Sequence, residues 1–416
     1  MPGHKGREIG GLPSADFSPF NAFDVTELDE TLNIYDCSPF NEQLFKATAD
    51  LFGAGMSLYS CGGATLAIQA ALFTVAAGKT LLCCHNAHIA AENAFILSSI
   101  DVVYVDDVDE QIIKKTSPAA VFFTSVDYYG RIPLEKLKRI SKLCKQNSIP
   151  LICDNSHGTH LAFTNDMLHP LCFGADIVID SAHKTLPVLT GGALLHLTKG
   201  YADDWQTFMR SLKLFATTSP SYLIARTLES GVFYMNNTKL ELLFEQCEKI
   251  KIALRQKGCV FYEDFGITTD PYRITPVLAN AIEVDNHFKS YGIFSEFSNE
   301  NHIVLIPSVM NSDTDFDLLQ KAIDEIDFVP LSKEQIDMLI SDWQTIKPPK
   351  TLAMPPRQAA MSKIKRVKTA QSAGLIAAEA LYQYPPAVPI LHTGERIKEE
   401  QIPMLAMICD EILVVY

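Results

Sequence analysis

The first candidate for chemistry is Lys184, which follows a strand-like run rich in β-branched residues at 176–181, DIVIDS. The chain breaks at SAHK before a second apolar run at 193–197, so the lysine lies at the end of a predicted buried strand. Lysine is rarely buried without a partner or a task, and one such task is to form an imine with an aldehyde. A Ser-x-x-Lys pattern alone is more often an ordinary turn after a strand, so the upstream residues must decide.

A second apolar strand is predicted at 149–154, and it ends in a carboxylate, Asp154. Parallel strands open their ligand crevice at their carboxyl ends, so Asp154 and Lys184 are expected to face one pocket. Pyridoxal phosphate needs such a pair. A lysine holds its aldehyde as a Schiff base, and a carboxylate keeps its pyridine nitrogen protonated. The two residues together therefore indicate a pyridoxal phosphate site.

Five motifs, in order along the chain, resemble those of the Orn/Lys/Arg decarboxylases, which are fold-type I, aspartate-aminotransferase-like enzymes. They are PGHKG at 2–6, DNSHGTH at 154–160, SAHKTLP at 181–187, TTSPSY at 217–222 and YPPAVP at 384–389. Because the motifs extend from one end of the chain to the other, the resemblance is specific, and it is to a shorter, Gram-positive-type form. It implies the α/β fold of the pyridoxal-phosphate-dependent transferases, with a large, mostly parallel sheet, a small α+β domain and a C-terminal extension.

The resemblance also implies roles for individual residues. Lys184 carries the cofactor, Asp154 bonds its ring nitrogen, His88 stacks on its ring and His157 hydrogen-bonds its phenolic oxygen. The other cofactor contacts are expected at Gly63, Ala64, Thr65, Ser181, His183 and, from a neighbouring subunit, Thr218 and Ser219. A glycine turn or a hydroxyl before a helix is weak evidence alone, since both also serve as ordinary caps. No metal site is expected, because the ten cysteines show no metal-ligand spacing.

The preferred function is decarboxylation of lysine, arginine or ornithine to the corresponding amine. One alternative is another fold-type I reaction, such as transamination or an aldolase-like cleavage. Transamination is disfavoured because the C-terminal region has no evident arginine in a strand for the substrate α-carboxylate. The other alternative is a degenerate, cofactor-binding paralogue with little activity, which is suggested by departures from the family pattern at Ala64, Ile89, Ala90, Val126, Asp127 and Gly191.

Two acidic residues are candidates for contact with the substrate. Asp127 would place a carboxylate at the pocket rim, where it would repel a substrate carboxylate or attract a substrate amine. Glu379 is a candidate for the distal group of the substrate only through its place in the C-terminal motif.

The order of predicted elements indicates three domains. Alternating strands and helices up to residue 154 favour a parallel, doubly wound sheet in a major domain at 1–240. A small α+β domain at 241–345 is expected to contain strands near 273–278 and 303–306. A proline-rich linker at 347–356 leads to a C-terminal domain at 346–416. The basic residues Lys363, Lys365, Arg366 and Lys368 are expected on a solvated helix face.

Composition limits the partners. A net charge of −14, from 35 basic and 49 acidic residues, argues against nucleic acid or an anionic membrane as the main partner. The sequence has no signal peptide and no apolar stretch of about 18 residues, and it lacks paired-cysteine motifs, so a cytoplasmic location is expected. The expected partners are a small amino-acid substrate and a second copy of the chain, in a homodimer with shared active sites or a higher oligomer.

Overall fold

The computed structural model describes residues 23–25, 33–84, 86–344, 350–383 and 387–416. Its strands are β1 (Met56–Ser60), β2 (Thr80–Cys84), β3 (Asp101–Val105), β4 (Ala120–Thr124), β5 (Leu151–Asp154), β6 (Ile177–Asp180), β7 (Ala193–Leu197), β8 (Phe297–Ser298), β9 (Ile303–Val304), β10 (Lys350–Thr351), β11 (Ile364–Lys368), β12 (Leu381–Gln383), β13 (Val388–Leu391) and β14 (Glu411–Val415).

The helices include α1 (Pro39–Phe52), α2 (Gly63–Ala76), α3 (Ile89–Ser98), α4 (Glu110–Thr116), α5 (Leu134–Gln146), α6 (Trp205–Phe215), α7 (Tyr222–Asn236), α8 (Leu240–Gln256), α9 (Ala281–Ser290), α10 (Asp313–Asp324), α11 (Lys333–Gln344), α12 (Pro356–Met361) and α13 (Ile402–Ile408). None of the helices in the described ranges is long and apolar enough to cross a membrane.

The main sheet has the strand order β1-β7-β6-β5-β4-β2-β3-β10. The five central strands, from β6 to β3, run parallel, and β5 and β6 are buried along their whole length. Alternate residues of β2 face opposite cores: Leu81 and Cys83 lie in one, and Leu82 and Cys84 lie in the other. Burial on both faces explains the continuous apolar runs in the sequence. The predicted mostly parallel α/β fold is confirmed.

The edges of the sheet differ from a purely parallel arrangement. β7 pairs antiparallel with both β6 and β1, and β10 pairs antiparallel with β3. A parallel return needs a crossover of about a dozen or more residues, usually with a helix. Residues 181–192 form the turn around Lys184 instead and contain no α-helix, so β7 comes back antiparallel.

A separate hydrophobic cluster joins α8, α9 and α10 to β9. The prediction of a strand near 273–278 is wrong, because Ile274 and Val277 make only isolated bridges to neighbouring segments. Pro276 has no N–H for a ladder, which explains why the segment does not become a regular strand. The strand predicted at 303–306 is only two residues long.

The C-terminal segments form a further cluster around Leu391, Leu405 and Val414. The helix predicted for the basic residues is wrong, since residues 364–368 form β11 and pair with the apolar strand β14. This pairing overrides the helical tendency of lysine and arginine. The predicted linker at 347–356 is likewise part of the fold from residue 350 onward, because β10 joins the main sheet; residues 347–349 lie outside the described ranges.

Candidate active site

Asp154 and Lys184 meet at the carboxyl edge of the main sheet. Asp154 is the last residue of β5 and is only 3% exposed. Lys184 ends a short 3-10 turn, Ala182–Lys184, which follows β6, the neighbour of β5. Both side chains line a cavity of about 1110 Å³. The structure thus brings the two residues to one pocket, as the order of strands predicts.

The amine of Lys184 contacts the imidazole of His157, with 2.9 Å between Nζ and Nε2. Burial lowers the pKa of Lys184, and Arg273 adds to this effect, whereas Asp154 and Glu296 oppose it. Burial, Lys184 and Arg273 hold the pKa of His157 well below its usual range. A neutral imidazole therefore lies beside the amine.

His88 lies at the start of α3 and lines the same cavity. Its Nδ1 accepts a hydrogen bond from the N–H of Ala90, 3.1 Å away, so the side chain also caps the helix. Burial lowers the pKa of His88, as does Lys184, and Asp154 partly offsets both. The next residue, Ile89, donates its N–H to the carbonyl of Ala387 in the C-terminal part of the chain.

The N-terminus of α2 faces the cavity with Gly63, Ala64 and Thr65. Gly63 has a φ of 72°, in the left-handed region that favours glycine. Its N–H already donates to the carbonyl of Gly191. The N–H groups of Ala64 and Thr65 are therefore the better candidates for an anion at this helix end.

Ser181 and His183 line the cavity beside Lys184. The Nδ1 of His183 donates to the carbonyl of Gly192, 3.1 Å away, and lies 3.4 Å from the Ser181 hydroxyl. Burial lowers the pKa of His183.

Other expected residues do not reach the cavity within one chain. Thr218 and Ser219 are exposed and do not line it. Glu379 is also exposed and away from the cavity. The motif residues 2–6 and 384–386 lie outside the described ranges.

Asp127 lines the cavity, as expected, but its carboxylate is paired within its own segment. Its Oδ2 accepts from the Nε of Arg131 at 2.6 Å, and its Oδ1 accepts from the N–H groups of Tyr129 and Arg131. The carboxylate is therefore neutralised, and it closes a turn of its own segment. Val126, beside it, is buried in a small apolar cluster.

Two family models match this chain: "Orn/Lys/Arg decarboxylase, major domain" at residues 106–264 and "Orn/Lys/Arg decarboxylase, C-terminal domain" at 342–410. Together they cover more than half of its length. The chain belongs to the Orn/Lys/Arg decarboxylase family. It is a pyridoxal-phosphate-dependent decarboxylase of that family, as the resemblance of its motifs predicted.

Similar proteins agree with this assignment. The uncharacterized protein YaaO of Bacillus subtilis is 26% identical, and the match covers 94% of this chain and 86% of YaaO. An arginine decarboxylase of Halalkalibacterium halodurans is 25% identical over 85% of this chain and 78% of the relative. The solved lysine decarboxylase LdcF of Francisella novicida has the same fold, with a TM-score of 0.76 and 16% identity, covering 100% of this chain and 78% of LdcF.

The site of this decarboxylase fits the cofactor. The hydrogen bonds to the Asp154 carboxylate come from the N–H and hydroxyl of Ser156, and both end on Oδ1. In the described part of the chain, Oδ2 is therefore left as an acceptor for a protonated ring nitrogen. The amine of Lys184 and the N-terminus of α2 lie on the same cavity, as an aldehyde and a phosphate of one ligand require.

Three buried polar groups near the site were missed by sequence reasoning. The first is Glu92 on α3, which accepts from His392 Nδ1 at 2.9 Å and from the N–H of Thr393 at 2.5 Å. This acid joins α3 to the C-terminal region 300 residues away. The sequence does indicate a buried Glu92, because α3 is apolar on nearly all sides. An acid in such a helix is buried with a partner.

The second is Asp180, at the end of β6. Its Oδ2 accepts from Nε2 of His169 at 3.0 Å and of His196 at 3.1 Å, and its Oδ1 accepts from the Asn155 amide at 2.7 Å. Burial raises the pKa of Asp180, but the two histidines outweigh burial and hold it below its usual range. The three ligand-type atoms of this cluster are within 4.8 Å of one another, yet hydrogen bonds within the cluster already engage them.

The third is Arg273, which is 3% exposed and lies behind His157. Arg273 lies outside the regular strands of the described ranges. The guanidinium donates to the carbonyls of His157 and Tyr128. These donors are thus engaged by the protein itself.

Proposed function

We propose that this enzyme removes the α-carboxylate of a basic amino acid, lysine, arginine or ornithine, and releases the amine and CO2. The observation that carries the proposal is the cavity shared by Lys184 and Asp154 at the ends of adjacent strands. Relatives named arginine decarboxylase and structures named lysine decarboxylase support a basic substrate and do not choose between the two.

The two residues at the strand ends have complementary tasks. Lys184 would hold the cofactor through its aldehyde, and Asp154 would keep the ring nitrogen protonated. When bound, the cofactor supplies an electron sink for the bond broken at Cα. Burial lowers the pKa of Lys184, which increases the share of neutral amine at a given pH, and the lowered pKa of His157 keeps the imidazole neutral beside it. A released Lys184, or a neighbouring histidine, would return a proton to Cα.

The other cavity residues would hold the cofactor in place. His88 would cover one face of the ring, and His157 would donate a hydrogen bond to the phenolic oxygen. The N–H groups of Ala64 and Thr65 would bind the phosphate at the N-terminus of α2. Ser181 and His183 would flank the phosphate side.

We further propose a homodimer with shared active sites as the minimal active unit. Thr218 and Ser219 are exposed on their own chain, so they are accessible to a neighbouring subunit. A two-fold axis would give two equivalent sites. We place the enzyme in the cytosol, and the ten unpaired cysteines are compatible with a reducing compartment.

The test is to incubate purified protein and pyridoxal phosphate with lysine, arginine and ornithine in turn, and to measure CO2 and the amine. One of the three should yield equimolar CO2 and amine. Lys184→Ala should abolish the reaction, whereas Lys365→Ala, at an exposed position on β11, should retain it. Cofactor binding without CO2 from any of the three would reject the proposal.

The second candidate is a cofactor-binding paralogue with little turnover. The observation that favours it is Ala64, which offers no hydroxyl at the helix end that faces the cavity. Gly191 does not add to this case, since its φ of 98° is a conformation that favours glycine. In the same assay this candidate predicts cofactor binding with negligible CO2 and negligible keto-acid product.

A further inference from the structure

Arg273 fixes a positive charge on one side of the His157 ring. Its Nη2 donates to the His157 carbonyl at 2.9 Å, and its Nη1 donates to the Tyr128 carbonyl at 3.1 Å. The same Nη1 lies 3.4 Å from His157 Nδ1. Because a guanidinium has only donors, the Nδ1 atom facing it must present a lone pair.

The backbone around the arginine is shaped to admit it. Gly130 has a φ of 82°, and a Cβ added there would lie 2.7 Å from Arg273 Cδ. Asp270 lies 3.5 Å from the arginine Nε, and it also accepts from His160 at 3.0 Å. The guanidinium is therefore held by two carbonyls and one carboxylate, with little freedom to turn away from His157.

The lone pair on Nδ1 determines where the imidazole hydrogen lies, on the other side of the ring. A neutral imidazole has one N–H, so the hydrogen is on Nε2, the atom 2.9 Å from Lys184 Nζ. This N–H can only donate to the lone pair of an uncharged amine. The neutral form of His157 is supported by its low pKa, which results from burial and from its positive neighbours.

We propose that Arg273 is a positioning residue that fixes the Nε2–H tautomer of His157 and so favours the neutral, nucleophilic amine of Lys184. This inference rests on the proposed role of Lys184 as the attachment site. In that condensation the amine nitrogen bonds to the aldehyde carbon. The aldehyde oxygen leaves as water with the two amine hydrogens, so only an unprotonated amine can begin it.

Several charged groups face the pair, and their signs set the expected pH dependence. The pKa of Lys184 depends on the nearby charges of Asp154, Glu296 and Arg273. The pKa of His157 is lowered by Lys184, Arg273, His88 and His183. The two carboxylates favour the charged amine, whereas Arg273 and burial favour the neutral one. Removal of Arg273 should therefore raise the pKa of Lys184.

The first measurement is the rate at which apoenzyme forms its imine band with pyridoxal phosphate, followed by absorbance across the pH range. Arg273→Met should move the midpoint of the rate profile up by about one pH unit and slow the reaction about tenfold at neutral pH. Arg273→Lys, which keeps the charge but not the planar fork, should give a smaller shift. Arg255→Met is the matched control, since Arg255 pairs with Glu263 and Asp264 away from the cavity.

The second measurement needs no cofactor. In wild-type apoenzyme with 15N-labelled histidine, NMR should show His157 as the Nε2–H tautomer, and Arg273→Met should lose that preference. A wild-type Nδ1–H tautomer, or an unchanged rate midpoint in a folded Arg273→Met, would overturn the inference. If Arg273→Met does not fold, the inference is tested by the tautomer of the wild-type protein and by the rate midpoint of Arg273→Lys. Imine formation by Lys184→Ala would instead reject the proposed function.

Discussion

At the scale of single residues, Asp154 is the carboxylate on which the proposed chemistry depends most. It is buried, and both hydrogen bonds to its side chain come from Ser156. Replacing it with asparagine keeps the size and one acceptor but removes the charge that would hold a ring nitrogen protonated. Lys184 is unchanged in this variant, so the cofactor should still attach while turnover is lost.

We therefore expect Asp154→Asn to retain the imine absorbance and to lose at least about 100-fold in decarboxylation rate. The measurement is CO2 release at saturating cofactor, with borohydride reduction to locate the attachment at Lys184. Asp101→Asn, at an exposed position at the start of β3, should behave as wild type. Full turnover by Asp154→Asn, or a label on another lysine, would show that the assignment of these residues is wrong.

At the scale of elements, the network around Asp180 holds neighbouring strands together. His196 on β7 contacts Asp180 through Nε2 and the Ser57 hydroxyl of β1 through Nδ1. Asn155, directly after β5, contacts Asp180 and the Ser125 hydroxyl after β4. One buried carboxylate thus connects strands on both sides of β6.

Asp180→Asn should destabilise the protein by about 3–5 kcal/mol, because an amide cannot accept from both histidines and the asparagine at once. Urea unfolding followed by circular dichroism measures the loss. The matched control is Asp176→Asn, just before β6, where the side chain accepts a single N–H from Leu151. The control should change stability by only about 1 kcal/mol. Equal effects at the two positions would contradict a special role for the Asp180 network.

At the scale of the whole molecule, the position of the TTSPSY segment at 217–222 bears on how many chains form one site. Thr218 and Ser219 are exposed, and the cavity of one chain does not contain them. If they contact the cofactor phosphate, they do so from a second chain.

We expect a homodimer whose cofactor affinity falls when dilution separates the subunits. Light scattering over a dilution series, with cofactor occupancy followed by absorbance, is the measurement. Thr218→Ala should weaken cofactor binding in the dimer, whereas Ser230→Ala, on an exposed face of α7, should not. A monomer with undiminished cofactor affinity would exclude shared sites.

The sequence by itself determined the elements that carry Lys184 and Asp154. The residues at the ends of β5 and β6 could be predicted because buried parallel strands are short, apolar and bounded by turns. The position of His88 before an apolar helix is equally local. The motifs around these residues were sufficient to identify the family.

Only the tertiary structure decided which side chains support them. Arg273 reaches His157 across 116 residues, and Glu92 reaches His392 across 300 residues. Such pairs leave no periodic pattern, since each depends on how separate segments pack against one another. The same reason explains β11, where the sequence shows a basic run and only its pairing with β14 makes it a strand.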